Sequence, residues 1–456
     1  MKNFFTYPVF VVLYLSFIGM MGFGAVVKYH YDGGRKFQFL QKPVMLISSA
    51  PVTLAKMIKN KSIDDDVVVP INDIIYENLK FFDKKLSTYP PQNNLILISR
   101  HDGDLGRSVV EIRDINSFEV LHSYKPNIEQ IYKKIDLSKD EFKYLKRDKG
   151  VNRFHMWHPS ITNRGELIFQ SHSPLVKIDI NSNVVWVNDE DVFHHSTNLD
   201  DEENIYVPSE LKPYSKLVGE YVGLNNATEN YNFADDAINI LDKNGKILFS
   251  KSVTEILIEH GYLNRIFSQQ SHKSDPIHLN DIQPVLKDTK YFKKGDLFLS
   301  LRNLSMVILY RPSTNKIIKI IEGEFYNQHD VDILDESRVS IYNNNAFHNY
   351  KNERLVKNNE IIIYDFETNS FSKKFEKTFI ENKIDSNLNG LVDFLQDGSA
   401  IVEDRMNGRI FYLSSEGEVI WIFNNLNSKK QIYDLWWARV IDFEKSKKIR
   451  EILKND

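Results

Sequence analysis

The chain has 456 residues, 42% of them hydrophobic and 12% aromatic. Its 29 Phe and 22 Tyr against 19 Gly and 14 Pro suit one large repeat fold or two to three domains and exclude collagen-like and low-complexity chains. A net charge of −4 provides no global attraction for nucleic acid, so any anionic ligand must be met by a local cluster. Cysteine is absent, which excludes disulfides, thiolate metal sites and cysteine nucleophiles without deciding the redox compartment.

Phe4 to Val27 is a run of 24 residues without a charge, long enough as a helix to cross a hydrocarbon layer of roughly 30 Å. Residues 1–29 are therefore expected to form a transmembrane anchor or uncleaved signal, since the apolar run exceeds the about 7–15 residues of a cleavable signal core. Lys2 precedes it, and Lys28, Arg35, Lys36 and Lys42 follow it. By the positive-inside rule this asymmetry leaves the body of the protein in the cytoplasm. Residues 30–92 read as a mixed connector. Apolar residues at helical spacing over Ile71 to Phe82 predict a short amphipathic helix that ends before Pro90-Pro91.

From residue 93 to 445 short apolar, β-branched runs alternate with Asp, Asn and Gly turns, and a unit of about four strands recurs. Its clearest copy runs from Gly390 through Glu403 to Gly417-Glu418-Val419-Ile420-Trp421. Others begin at His158, His195, His278 and His329, and a degenerate copy pairs Leu95–Ser99 with Val109–Ile112. Six four-stranded units predict an all-β, six-bladed β-propeller, with a β-solenoid or two stacked sandwiches as alternatives. Insertions fall around 211–233 and 343–359. Asn127 to Lys149 and Val253 to Phe267 read as helices on one rim, and 446–456 as a polar C-terminal tail.

A lone histidine at a strand edge is more often structural than catalytic. Here, however, four of six units begin with one: His158, His195, His278 and His329. Inner strands line a propeller's channel, so the four imidazoles are expected to converge on its axis. Arg302, just after the strand Asp296 to Ser300, can reach the same funnel. His194 and His195 are neighbours, and strand alternation predicts that only one of them faces the axis.

Four neutral imidazoles could bind a metal, but Arg302 would repel a cation and no carboxylate completes the best ligand set. Imidazole nucleophiles with an arginine fork suit transfer of a sulfuryl or phosphoryl group instead. There is no G-x-x-x-x-G-K-[ST] loop, H-E-x-x-H or G-x-S-x-G, so neither a nucleotide donor nor a cofactor is called for.

His195 after His194, His278-Leu279-Asn280, Ser300-Leu301-Arg302 and Gln328-His329-Asp330 occur in the order of the bacterial arylsulfotransferase family. The last unit, with Gln396-Asp397-Gly398 and Val419-Ile420-Trp421, also resembles that family's final blade. The resemblance covers about Arg100 to Arg439. It implies an enzyme that moves a sulfuryl group from a phenolic sulfate ester to a phenol through a sulfohistidine, without a nucleotide donor, cofactor or metal. It implies that His329 is the nucleophile, that His278 and Arg302 hold the sulfuryl oxygens, and that His195 serves as acid or base. His158, His194 and Asn280 are implied as secondary substrate-binding residues. It also implies a periplasmic propeller tethered to the membrane by the N-terminal helix, against the charge flanks.

The chain departs from the family's pattern in having no cysteine and only a short connector where an N-terminal β-sandwich would stand. Two rival readings are a membrane-tethered propeller that binds an anionic ligand or partner protein, and a His-ligated metalloenzyme.

Overall fold

The computed structural model describes residues 6–31, 70–139, 142, 145, 150–171, 174–222, 233–267, 274–349 and 354–455. Two compact units divide the chain, Met1–Val67 and Val68–Asp456. In the first, the helix Thr6–Tyr31 contains Val11–Tyr29, 19 residues with mean hydropathy 1.8 and no burial. This length and composition suit a membrane anchor or a signal sequence. Most of the expected connector, 32–69, lies outside the described residues.

The second unit is a six-bladed β-propeller of antiparallel four-stranded sheets. Blade 2 is Trp157–Ile161, Leu167–Gln170, Leu175–Ile178 and Val184–Asn188. Blade 3 is Asn198–Leu199, Ile205–Glu210, Asp236–Leu241 and Ile247–Ser252. Blade 4 is Leu279–Pro284, Leu297–Leu301, Met306–Arg311 and Lys316–Ile321. Blade 5 is His329–Ile333, Arg338–Asn343, Glu360–Asp365 and Ser370–Lys374. Blade 6 is Leu391–Phe394, Ala400–Asp404, Arg409–Leu413 and Val419–Asn424.

Blade 1 closes the ring. Its three outer strands, Leu95–Asp102, Arg107–Asp114 and Val120–Tyr124, come from the start of the domain. Its innermost strand, Leu435–Ile441, comes from the end and pairs antiparallel with Leu95–Asp102. The copy at Leu95–Ser99 is thus a second strand rather than a channel-lining first one. Lending the last strand to the first blade leaves neither end of the repeat with a bare edge at the axis.

The unbroken apolar run Leu95-Ile96-Leu97-Ile98 has a direct cause, because both faces of the blade are covered. Leu95 and Leu97 pack with Leu167 and Phe169 of blade 2, while Ile96 and Ile98 pack with Ile401, Ile410 and Trp421 of blade 6. All four residues are fully buried.

Around the channel, polar side chains of the inner strands hand hydrogen bonds from blade to blade. Ser160 Oγ donates to the Thr197 carbonyl. Asn198 Nδ2 donates to the Ile282 carbonyl at 2.9 Å and to Asp281 Oδ1 at 3.1 Å. Asp281, Asp330 and Asp393 accept from the backbone N–H groups of Val331, Val392 and Val440 at 3.0, 3.0 and 2.7 Å. Arg439 Nη1 donates to Ser160 Oγ at 3.0 Å and completes the circuit. The aspartates of the His278 and His329 motifs are therefore stitches between blades.

Two expectations are corrected. Ile71 to Phe82 is not a helix but a run of bends and turns. Ile71 N donates to the Ile432 carbonyl, and Tyr76 N to that of Lys430. Phe82–Lys84 then adds as a fifth strand to the outer edge of blade 6. An available sheet edge outcompetes a helix too short to stand alone. The expected polar tail is instead the helix Phe443–Asn455, which buries Ile449 fully against the cluster containing Leu95 and Ile441. The rim segments are helical over Ile128–Tyr132, Val253–Glu259 and Leu263–Ile266, while most of 140–149 lies outside the described residues.

Glu403, in the second strand of blade 6, is 1% exposed. Burial pushes its carboxyl up to about 8 against the opposing Arg405 charge and the Ala438 N–H, with Asp434 and Asp404 adding to the rise. The folded protein keeps this proton while an unfolded glutamate, with its ordinary value of 4.5, has lost it. Stability is therefore expected to fall as pH rises from about 4.5 to 8. Urea midpoints of wild type and Glu403→Gln should converge at the acid end of this window, with the variant the more stable at pH 8.

Candidate active site

The histidines sit where the inner strands begin, on irregular backbone. His158, His195 and His278 have φ of +44°, +57° and +56°. This left-handed conformation is uncommon outside glycine, and such strain is typically held in place at functional sites. The strand ladders are also shifted between Trp157 and Ser160, between Leu279 and Asp281, and between His329 and Val331. Bulges of this kind re-aim side chains.

The four do not share one ladder position. His329 pairs within the ladder, opposite Tyr342, His278 precedes the first paired residue, Leu279, and His158 follows the first paired residue, Trp157, inside the bulge. At the start of blade 5 the left-handed residues are Asn327 and Asp330, with φ +52° and +45°.

Three of the rings nevertheless cluster, with His158 buried and His195 and His278 partly exposed. His195 and His278 stack edge to face with centroids 4.7 Å apart, and His158 lies 6.2 Å from His195. His158 also stacks on Trp437 of the closing strand at 4.2 Å and 25°. Arg302 occupies a single 3₁₀ turn after the second strand of blade 4, and its N–H donates to the His278 carbonyl at 3.1 Å. The backbone thus ties guanidinium and imidazole to one place.

The tautomer of His329 follows from its partners. Asn344 Nδ2 donates to the carbonyls of Ser386 at 2.9 Å and Asn389 at 2.6 Å, so its Oδ1 is left as an acceptor. His329 Nδ1, 2.5 Å from that oxygen, must carry the proton. The lone pair lies on Nε2, which accepts only a long contact of 3.3 Å from the Asn389 N–H. Burial, then the charge of Arg302, holds the ring well below the ordinary histidine range, although the Asn344 bond opposes the shift. His329 is a neutral imidazole with an available Nε2.

His278 Nδ1 is bonded to the Asp275 carboxylate, three residues earlier, so the Nε2 side of the ring is left to face the site. Burial alone would raise Asp275, but His278 outweighs it and holds the carboxyl below its usual value. His194 does not point away from its neighbour. The left-handed backbone at His195 breaks strand alternation, and the two Nδ1 atoms lie 2.7 Å apart. His194 Nε2 is 3.3 Å from Asp236 Oδ1, a charge contact rather than a well-aimed hydrogen bond.

Asn280 Nδ2 donates to the Gln328 carbonyl at 2.8 Å and joins blade 4 to blade 5 immediately before His329. Beside His195 and His278 lies a cavity of about 230 Å³, also lined by Trp157, Phe193, His194 and the carboxylates Glu210, Asp236 and Asp275; His329 and Arg302 do not border it. Its apolar wall suits a flat aromatic ring. Among the described residues no group of three or more His, Asp or Glu side chains could hold a metal ion.

A sequence model described as arylsulfotransferase (ASST) matches residues 160–425, more than half of the chain and all of the histidine motifs except His158. The chain belongs to the arylsulfotransferase family. Family membership supports an arylsulfotransferase-like activity in general. No curated protein matches the sequence. Solved structures similar to this arylsulfotransferase-family chain include a protein of unknown function from Bacteroides caccae, 11% identical with a TM-score of 0.44, covering 76% of this chain and 98% of that one. Virginiamycin B lyase from Staphylococcus aureus is 10% identical with a TM-score of 0.33, covering 58% and 69%. The WD40 domain of Neurospora crassa Pan2 is 9% identical with a TM-score of 0.38, covering 78% and 86%.

Asn344, Asp275, Asp236 and Trp437 escaped the sequence reading. Asp275 and His278 at i, i+3 offered a local signal. Asn344 lies at the edge of an insertion, and Trp437 is on a strand whose blade could be assigned only once the ring closed.

Proposed function

We propose that the chain is an aryl-sulfate sulfotransferase that moves a sulfuryl group from a phenolic sulfate ester to a phenol acceptor through a sulfohistidine at His329. The observation that supports this reading is the Asn344 bond, which keeps the His329 proton on Nδ1 and leaves the lone pair on Nε2, held only by a long contact from the Asn389 N–H, in a ring that burial and the Arg302 charge keep neutral. Nε2 attacks sulfur, the S–O bond to the aryl group breaks, and the phenol departs. Arg302 and His278 receive the equatorial oxygens as charge shifts onto them. His195 serves the proton of the leaving or attacking oxygen. The phenol acceptor then attacks sulfur, the N–S bond breaks, and the electron pair returns to Nε2. His158, stacked on Trp437, and Asn280, bonded to the Gln328 carbonyl, support the binding of substrate from behind these contacts.

The test is incubation of the full chain with a nitrophenyl or umbelliferyl sulfate. Without acceptor, a sulfuryl mass is expected on the His329 peptide, and adding phenol should make release of the leaving group continuous. No release with any acceptor and no adduct would overturn the reading. The helix Thr6–Tyr31 is read as the membrane tether with the propeller on the periplasmic side, in line with the family resemblance. Protease digestion of the propeller in intact spheroplasts is expected, and protection until lysis would reverse the topology.

A further inference from the structure

Two ring nitrogens sharing one hydrogen at 2.7 Å, with a carboxylate at the far side of one ring, form a chain from the reacting pocket into blade 3. We infer that Asp236, His194 and His195 act as a proton relay for the transfer, in which His194, rather than His195, stores the proton between the two half-reactions. The inference rests on the proposed sulfuryl transfer and assigns His194 to positioning and proton storage rather than to substrate contact.

Asp236 is fixed from the other side, since its Oδ2 accepts from the Leu279 N–H at 2.7 Å. Its Oδ1 faces His194 Nε2 at 3.3 Å, a charge contact that favours a proton on that nitrogen, so that the shared Nδ1 position is the one that changes. With His194 doubly protonated, its Nδ1–H donates to His195 Nδ1, and His195 carries its own proton on Nε2, where it can act as an acid. As the leaving phenolate takes that proton, His194 passes its Nδ1 proton to His195 Nδ1. His195 Nε2 is now a lone pair and can act as a base. When the acceptor phenol gives its proton to Nε2, the Nδ1 proton returns to His194. Donor and acceptor steps each move one proton, and the cycle closes with none gained or lost.

The electrostatics agree with this placement of the charge. Burial disfavours a charged His194, but Asp236 beside it, with Glu210 and the Ser209 backbone beyond, outweighs burial and raises its pKa. His195 is held well below the ordinary value by burial and by His278, His194, His158 and His329 around it. The resting proton therefore belongs on His194, next to its carboxylate.

The test uses two variants of the full chain and two donors that differ in their need for an acid. Nitrophenyl sulfate releases an acidic phenol that needs no proton, whereas phenyl sulfate releases one whose pKa is about 10 by comparison with tyrosine. His194→Asn keeps an acceptor near His195 Nδ1 but cannot carry a proton. Asp236→Asn keeps the Leu279 bond and turns an N–H toward His194 Nε2, which leaves His194 neutral with its only proton on Nδ1 and no charge to pass on, and holds His195 with its proton on Nε2.

In each variant, release from phenyl sulfate is expected to fall by about 100-fold or more, the usual scale of acid–base catalysis, while the nitrophenyl burst changes less than about threefold. In Asp236→Asn, where His195 keeps its proton on Nε2 and cannot deprotonate an ordinary phenol, the His329 adduct should also accumulate, and a nitrophenolate acceptor should discharge it. Equal losses on both donors, or loss of the burst in both variants, would overturn the relay and leave these residues a structural role. A wild-type chain with no burst would instead overturn the sulfohistidine reading, and the relay with it.

Discussion

His329→Ala is expected to lower aryl-sulfate turnover by at least about 10,000-fold and to remove the sulfuryl adduct entirely, because loss of a nucleophile leaves no covalent route. The variant should still fold. His329 occupies one ladder position opposite Tyr342, while the inter-blade bond at this point comes from Asp330 to the Val392 N–H. Its main structural cost is the orphaned Asn344 Oδ1, about 1–3 kcal/mol for a buried polar atom. Turnover, peptide mass and thermal midpoint should be measured on the same preparation. An active, adduct-free variant would assign the chemistry to another residue. His278 would then be examined first, since its ring lies 4.7 Å from His195.

Arg302 should give the second largest effect, and its two variants should separate its two roles. Arg302→Lys and Arg302→Ala are each expected to lose about 100- to 1000-fold in kcat, the scale of one oxyanion-stabilising group. A lysine ammonium cannot replace a planar fork that meets two oxygens at once. The variants should differ in pH dependence. The Arg302 charge helps to hold His329 below its ordinary pKa, so deleting it lets the ring stay protonated to higher pH. The acid limb of kcat/KM should therefore shift upward in Arg302→Ala and stay near the wild-type position in Arg302→Lys. Full activity in the lysine variant would show that charge alone suffices.

The two predictions depend on features with different legibility. The histidines and Arg302 stood out because a repeat turns isolated residues into a pattern: four blades opening with the same uncommon side chain is an observation that composition alone does not explain. The pattern also overreached. It placed all four histidines at one position, whereas the ladders set His278 before the first paired residue, His329 on it and His158 after it, and it expected His194 to face away from His195. Both errors come from assuming regular strand geometry where bulges and left-handed residues re-aim the chain. The helix expected over Ile71 to Phe82 failed for a related reason. Spacing reports local preference, but Phe82–Lys84 had a sheet edge to join.

The sequence by itself determined the six-unit repeat, the apolar N-terminal run and the residue types available for chemistry, because strand period, length and side-chain identity are local quantities. Tertiary structure alone decided which strand completes blade 1, which nitrogen of His329 bears the proton, and which carboxylate stands behind which histidine. Each of those depends on partners far apart in the chain: Leu435–Ile441 with Leu95–Asp102, Asn344 with Ser386 and Asn389, and Asp236 with His194 and Leu279. A protonation state is set by the groups surrounding a ring, and only the closed propeller assembles them.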